Sequence, residues 1–282
     1  MTKLVPLFLL LALALHDVDA HADPLSSKAQ VVRHAIPRSV RIQVYAGGEL
    51  RRSASGVVVR AEMTSEGPRS LVLTNAHVAD PEGIDEARYM ALVEHHGKVE
   101  RTLPARVIAL GRVPELDLAL LEVESLLPTA EHATEEQVDV GDEVVVVGAP
   151  YGKSLSVSGG MVSQLEAEGE ADMATTAICF RAMKTDAPIG YGSSGGGVFT
   201  VPGGRLVGIV EGYRTARVQM GERLSFDVPM PGETFVAPVT KLRRFLADNA
   251  PRRAVTPDSA PAQAVSAPAP TPTPTPASRA AH

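Results

Sequence analysis

Three residues in this chain have the types and spacing to do chemistry: His77 in TNAHV, Asp117 in LDLALLEV and Ser194 in GYGSSGGGVF. A serine hydroxyl is a poor nucleophile at neutral pH and needs a base within hydrogen-bond reach, and histidine is the side chain suited to that duty. The imidazolium that forms must be oriented by a carboxylate that does not itself react. His77 is therefore read as the base, Asp117 as the orienting acid and Ser194 as the nucleophile. A developing oxyanion also needs donors. Gly190 to Phe199 carries enough glycine to turn tightly and aim several backbone N–H groups at one small volume, so the oxyanion site is expected at Gly192, Ser193 and Ser194, with Gly192 and Ser194 donating. Each fragment alone reads as an ordinary turn or strand end. Their order, each at the edge of an apolar run, points to acyl transfer.

Short strand-like runs must position these residues. VRIQVYA, SGVVVRA, SLVLTNAHV, YMALVEH, RTLPARVIALG and LDLALLEVES follow one another between residues 39 and 125, with turn residues between them. Six is the number a small closed barrel requires. Leu127 to Gln137 is acidic, lacks apolar periodicity and reads as a link. Six further runs occupy about residues 138–237: DEVVVVGAP, LSVSGGMVSQLE, TTAICFRAMKTD, GGGVFT, RLVGIVEGY and ETFVAPV. From Pro238 to Asn249, Leu242, Phe245 and Leu246 line one face of a short closing helix. The expectation is an all-β fold of two six-stranded antiparallel barrels with a C-terminal helix. Composition agrees, since 44% hydrophobic residues with no tryptophan and with 24 Gly and 22 Pro favour strands and turns over helices.

The two ends read differently. Residues 1–22 have a positive start at Lys3, an unbroken apolar run from Val5 to Leu15 and small residues at Ala20 and Ala22, the pattern of an export signal cleaved after one of those alanines. The run is too short to span a bilayer comfortably, so no membrane insertion is expected after its removal, and the destination is periplasmic or secreted. Residues 23–38 form an N-terminal segment. Residues 250–282 collapse to Pro, Ala, Thr and Ser and read as an extended tail.

Other chemistries are set aside. A net charge of −6 offers no footprint for nucleic acid or an anionic membrane. The single cysteine, Cys179, lies in an apolar run and reads as a core thiol. His95 and His96 in VEHHGKVE read as a hairpin turn, without the partners a metal site needs. No metal and no cofactor are expected.

Taken together, SGVVV, LTNAHV, DLALLEV, VGAPYG, VSGGMVS, TDAPIGYGSSGG, LVGIV and FVAPVTKL resemble, in order, the motifs of the chymotrypsin-superfamily serine peptidases of the HtrA-like branch over about residues 39–249. The resemblance implies two perpendicular barrels with the site in the cleft between them, His77, Asp117 and Ser194 as the triad, and protein or peptide substrates. Three departures stand out. Ser193 replaces the Asn or Asp that many relatives carry before the nucleophile, Gly197 stands where Pro or a small apolar residue is usual, and a Pro-rich tail follows where HtrA proteins carry a PDZ domain. Trypsin-like relatives that cleave after Lys or Arg hold an acid six residues before the nucleophile; here Pro188 stands there. Pro188, Ile189 and Gly190 with Val207, Gly208, Ile209, Val210 and Glu211 are expected to form a modest apolar pocket for a small or aliphatic residue before the scissile bond. A substrate strand is expected to add against LVGIVEG. Trimers are common in that branch, but no aromatic-rich patch lies between His21 and Pro37 to drive one, and a homo-oligomer stays open. Two functions follow: an exported serine endopeptidase acting in envelope protein quality control or processing, or a catalytically silent module binding unfolded chains or a partner through the same cleft.

Overall fold

The computed structural model describes residues 25–167, 180–220 and 224–251. Its strands form two closed antiparallel barrels. The first holds β1 (Ser39–Ala46), β2 (Glu49–Thr64), β3 (Gly67–Thr74), β4 (Arg88–His95), β5 (Lys98–Leu110) and β6 (Ala119–Val123), in the order β1-β2-β3-β6-β5-β4. The second holds β7 (Glu143–Gly148), β8 (Ser156–Ala167), β9 (Phe180–Thr185), β10 (Gly197–Val201), β11 (Leu206–Met220) and β12 (Leu224–Pro238), in the order β10-β11-β12-β9-β8-β7. Among the described residues three α-helices accompany the strands: α1 (Lys28–Ala35), the single turn α2 (Ala76–Ala79) and α3 (Val239–Asn249). The export segment, the tail and Cys179 lie outside the described residues. Among the described residues no helix is long and apolar enough to cross a membrane.

The continuous valine and leucine runs have a simple cause. Side chains alternate across a strand, and strands apolar on both faces must be covered on both. In β7, Val144 and Val146 fill the second barrel while Val145 and Val147 face a central cluster. In β6, Ala119, Leu121 and Val123 fill the first barrel, while Leu120, with Leu118 just before the strand, joins that same central cluster. The central cluster thus joins the two barrels and takes in Leu242 and Phe245 of α3.

Two segments carry structure that no sequence pattern assigned to them. The N-terminal segment forms α1, fixed by a reciprocal capping box between Ser27 and Gln30. It packs on β7 and β10 of the second barrel although it precedes the first in sequence, with Val31 and Ala35 buried in the central cluster. The link is also docked: Ala130 N–H donates to Val58 O at 2.8 Å, and Leu206 exchanges backbone bonds with Glu131 and Ala133 at 2.7 and 2.9 Å. Leu127, Ala130 and Ala133 are buried at every third position in a segment that forms neither helix nor strand.

A buried ion pair fastens the barrels at a second place. Arg41 of β1 meets Glu94 of β4 at 2.8 Å, Arg41 also donates to Gly152 O at 2.7 Å, and Leu155 N–H donates to Glu94 at 2.8 Å. Both acceptor and donor on the far side belong to the β7–β8 loop.

Candidate active site

His77 sits on α2, directly after β3 ends at Thr74. Its turn is held from outside: Arg52 of β2 donates to the carbonyls of His77 at 3.2 Å and Asp80 at 2.5 Å, a cation meeting the open carbonyl end of a helical turn. Asp117 grips the histidine twice. Its Oδ2 lies 2.6 Å from His77 Nδ1 and its Oδ1 accepts the His77 backbone N–H at 2.9 Å. Asn75 Nδ2 donates to Asp117 O at 2.8 Å and fixes the acid's backbone. The carboxylate is 14% exposed and the imidazole 43%, so the acid is shielded while the ring's other nitrogen, Nε2, is left for a reacting group.

The loop before β10 carries Ser194. Gly192 at φ +91° and Gly195 at φ +79° hold left-handed backbone. A Cβ on Gly195 would stand 2.2 Å from Ser55 O and 2.4 Å from Thr74 Oγ1, so this loop abuts the end of β3, three residues from His77. Gly195 N–H donates to Val210 O and Gly196 N–H to Ser193 O, at 2.9 and 2.8 Å. Ser193 N–H donates to Gly190 O at 3.0 Å. Among the described residues the N–H groups of Gly192 and Ser194 on either side of it have no partner, and neither has Ser194 Oγ. Ser193 was grouped with the oxyanion residues; its N–H is spent inside the loop, and its buried side chain accepts Gly190 N–H at 3.3 Å. Ser193 therefore supports the two donors instead of joining them.

Ser55 opens the SGVVV run, but no site role was expected for it from the sequence. It lies fully buried in β2. Its Oγ donates to Gly192 O and accepts Ala149 N–H, both at 2.8 Å, and its N–H donates to Ser194 O at 2.9 Å.

The expected pocket divides. Pro188, Ile189 and Gly190 line a cavity of about 200 Å³ with Tyr151, Ser193 and residues of β7 and β8. Val207, Gly208, Ile209 and Val210 do not line it. They are buried, with Val207 and Val210 in the second barrel's core and Ile209 in the central cluster. Gly208 and Ile209 pair with β10 on one side and β12 on the other, and Val210 spends its N–H and C=O on Gly196 and Gly195. These four support the loop that carries Ser194, and of LVGIVEG only Glu211 and Gly212 lie beyond the stretch hydrogen-bonded on both edges. Tyr151, which lines the cavity, is linked to two further tyrosines. Tyr191 and Tyr213 rings meet edge to face at 5.7 Å, and Tyr151 N–H donates to Tyr191 O. Burial pushes the Tyr213 phenol up, with Tyr191 adding to the shift.

Glu211 is placed differently from its neighbours. It is the extra residue of a bulge, since Val210 pairs with Val236 and Gly212 with Phe235, and a bulge re-aims the side chain it carries. Burial raises its carboxyl above the usual range; Lys241, at 4.0 Å, opposes the rise, Asp117 adds to it and His77 opposes it. Among the described residues no group of three His, Cys, Asp or Glu gathers to hold a metal.

A family model described as Trypsin-like peptidase domain matches residues 54–209. The chain belongs to the trypsin-like peptidase family. This trypsin-like peptidase is 31% identical over 189 residues to a Probable periplasmic serine endoprotease DegP-like of Ectopseudomonas mendocina (strain ymp), an alignment covering 65% of this chain and 35% of that one. It is 29% identical over 202 residues to Serine protease HTRA1 of Xenopus laevis, covering 70% and 36%. The chain spans about a third of the length of these relatives. In fold it is similar to the serine endoprotease from Yersinia pestis, with a TM-score of 0.56 at 24% identity over 79% of this chain and 66% of that one. The likeness to the HtrA branch carried by the motifs is thus found in the sequence relatives, and the solved structure shares the fold.

Proposed function

We propose that this trypsin-like peptidase is a serine endopeptidase, with His77, Asp117 and Ser194 as its triad. The observation that carries the reading is the double grip of Asp117 on His77, at 2.6 and 2.9 Å, beside a loop whose Gly192 and Ser194 N–H groups have no partner among the described residues. Ser194 Oγ attacks the scissile carbonyl as His77 Nε2 takes its proton, and the oxyanion rests against the two free N–H groups. Collapse breaks the C–N bond, and the proton passes from His77 to the leaving amine. Water then repeats the sequence on the acyl-serine and returns the enzyme. That Ser194 Oγ makes no bond to His77 at rest fits a site whose last hydrogen bond tightens on substrate.

Pro188 in place of an acid, together with Ile189 and Gly190, supports cleavage after small or aliphatic residues and not after Lys or Arg. Protein substrates, and export to the periplasm or beyond, follow from residues 1–22 and from relatives named periplasmic endoproteases. Envelope protein quality control or processing is the setting this reading expects. Casein digestion tests it: wild type should cleave, His77→Ala should not, and the two should melt at similar temperatures. Full turnover by His77→Ala would remove the base from the scheme, and sequenced products ending in Lys or Arg would overturn the pocket assignment.

A further inference from the structure

The second half of β11 and the first half of β12 run on past the barrel as a two-stranded arm. From Thr215 to Met220 the arm pairs with Leu224 to Pro229 in regular register. Cross-strand partners share a face. One face therefore carries Ala216 with Val228, Val218 with Phe226 and Met220 with Leu224, and the other carries Arg217 with Asp227 and Gln219 with Ser225. Nothing described covers the apolar face: Val218, Met220, Leu224, Phe226 and Val228 are 37–59% exposed. An open edge beside an apolar face is a hazard that proteins ordinarily blunt, so keeping one calls for an occupant.

The free edge of β11 says where that occupant comes from. β10 pairs with β11 only between Leu206 and Ile209, and Val210 is spent on the two residues after Ser194. Among the described residues β12 is the only strand paired to β11 from Glu211 to Met220, so a free edge begins beside the nucleophile loop and continues about 30 Å along the arm.

We propose that this arm is a docking rail for an extended, apolar stretch of a protein substrate on the amino side of the scissile bond. The inference rests on the endopeptidase reading and deepens it. The substrate backbone adds to the free edge of β11, and its alternate side chains lie over the apolar face. A second copy of the chain is the weaker occupant, because five half-exposed side chains offer roughly a few hundred Å², short of the ~800 Å² per partner of a stable pair. A substrate already anchored at Ser194 needs no more than that, since the arm then acts as a second, linked contact.

The test compares a fluorescent peptide of roughly six residues spanning the cleaved bond with the same peptide lengthened by about eight residues at its amino end, Val and Phe at alternate positions. Binding is measured on Ser194→Ala. The longer peptide should bind at least ~tenfold tighter. Val218→Thr with Phe226→Thr, on the same background, should lose that gain and leave the short peptide unchanged, while Gln219→Thr with Ser225→Thr on the polar face should keep it. Equal affinity for the two peptides, or a gain that survives the apolar-face change, overturns the proposal. So does sedimentation showing that the apolar-face variant breaks an oligomer while the gain persists, which assigns the face to a second copy. If that variant melts early, the comparison of peptide lengths on the intact arm decides alone. Fluorophosphonate labelling of the chain with native Ser194 is read separately: its failure removes the catalytic reading and leaves the affinity comparison to judge the arm.

Discussion

Ser55 Oγ donates to the carbonyl of Gly192 at 2.8 Å, a bond between residues 137 apart that ties the first barrel to the Ser194 loop of the second. The same Oγ accepts Ala149 N–H, and the backbone of Ser55 is committed too, its N–H to Ser194 O and its carbonyl to Thr74 Oγ1 at 2.7 Å. Ser55→Ala leaves Gly192 O and Ala149 N–H buried without their partner. A loss of about 1–3 kcal/mol is expected in denaturant titration. With the loop less restrained, kcat should fall on the order of 10²-fold while KM changes little. A variant that unfolds earlier but keeps full kcat would make Ser55 a stability residue only.

Asp117→Asn keeps the size of the acid but removes its charge, and its amide cannot accept both N–H groups of His77. The expected result is a fall in kcat on the order of 10⁴-fold with the fold intact. Steady-state kinetics beside circular dichroism check it. A fall of less than tenfold would mean that His77 is oriented by something else.

Glu211 gives a pH dependence with a definite sign. Burial keeps its carboxyl protonated to higher pH in the folded chain than in the unfolded one, whose ordinary value is 4.5. The folded state then holds more protons, so this group's contribution to stability falls as pH rises from that value toward the raised one. Glu211→Gln should lose less melting temperature than wild type over that interval. Lys241→Met removes the opposing cation and should make the loss steeper. Parallel melting curves for all three proteins would contradict the assignment.

Glu94→Ala tests the second fastening between the barrels. It strands Arg41, whose side chain is 13% exposed, and frees the N–H of Leu155. Breaking such a pair costs about 3–5 kcal/mol. Urea unfolding should show the loss; a change below 1 kcal/mol would mean that water replaces the carboxylate.

The barrels and the His77, Asp117 and Ser194 set were legible because local patterns carry them. An apolar run between turn residues is a strand wherever it lies, and the three chemical residues stand at the ends of such runs. Ser55 was illegible for the opposite reason: its partners are distant in sequence, and a serine in a strand has no spacing to announce them. The same holds for α1, whose docking on the second barrel depends on a surface not built until β7 and β10 pair. The substrate edge at LVGIVEG comes from the family resemblance, and one strand does not reveal its neighbours: pairing with β10 occupies that edge as far as Ile209 and leaves Glu211 and Gly212 as its open part. The arm escaped because QMGERLSFDVP lacks the strict apolar run used to recognise the other strands, its alternation being half polar.

The central claim is that Ser194 is a nucleophile activated by His77. Mass spectrometry after treatment with a fluorophosphonate measures it directly, on wild type, Ser194→Ala and His77→Ala. The account predicts one adduct per chain on Ser194 in wild type, none in Ser194→Ala, and slow or no labelling in His77→Ala. A folded wild type that does not label, or a Ser194→Ala chain that labels as fast as wild type, would contradict it.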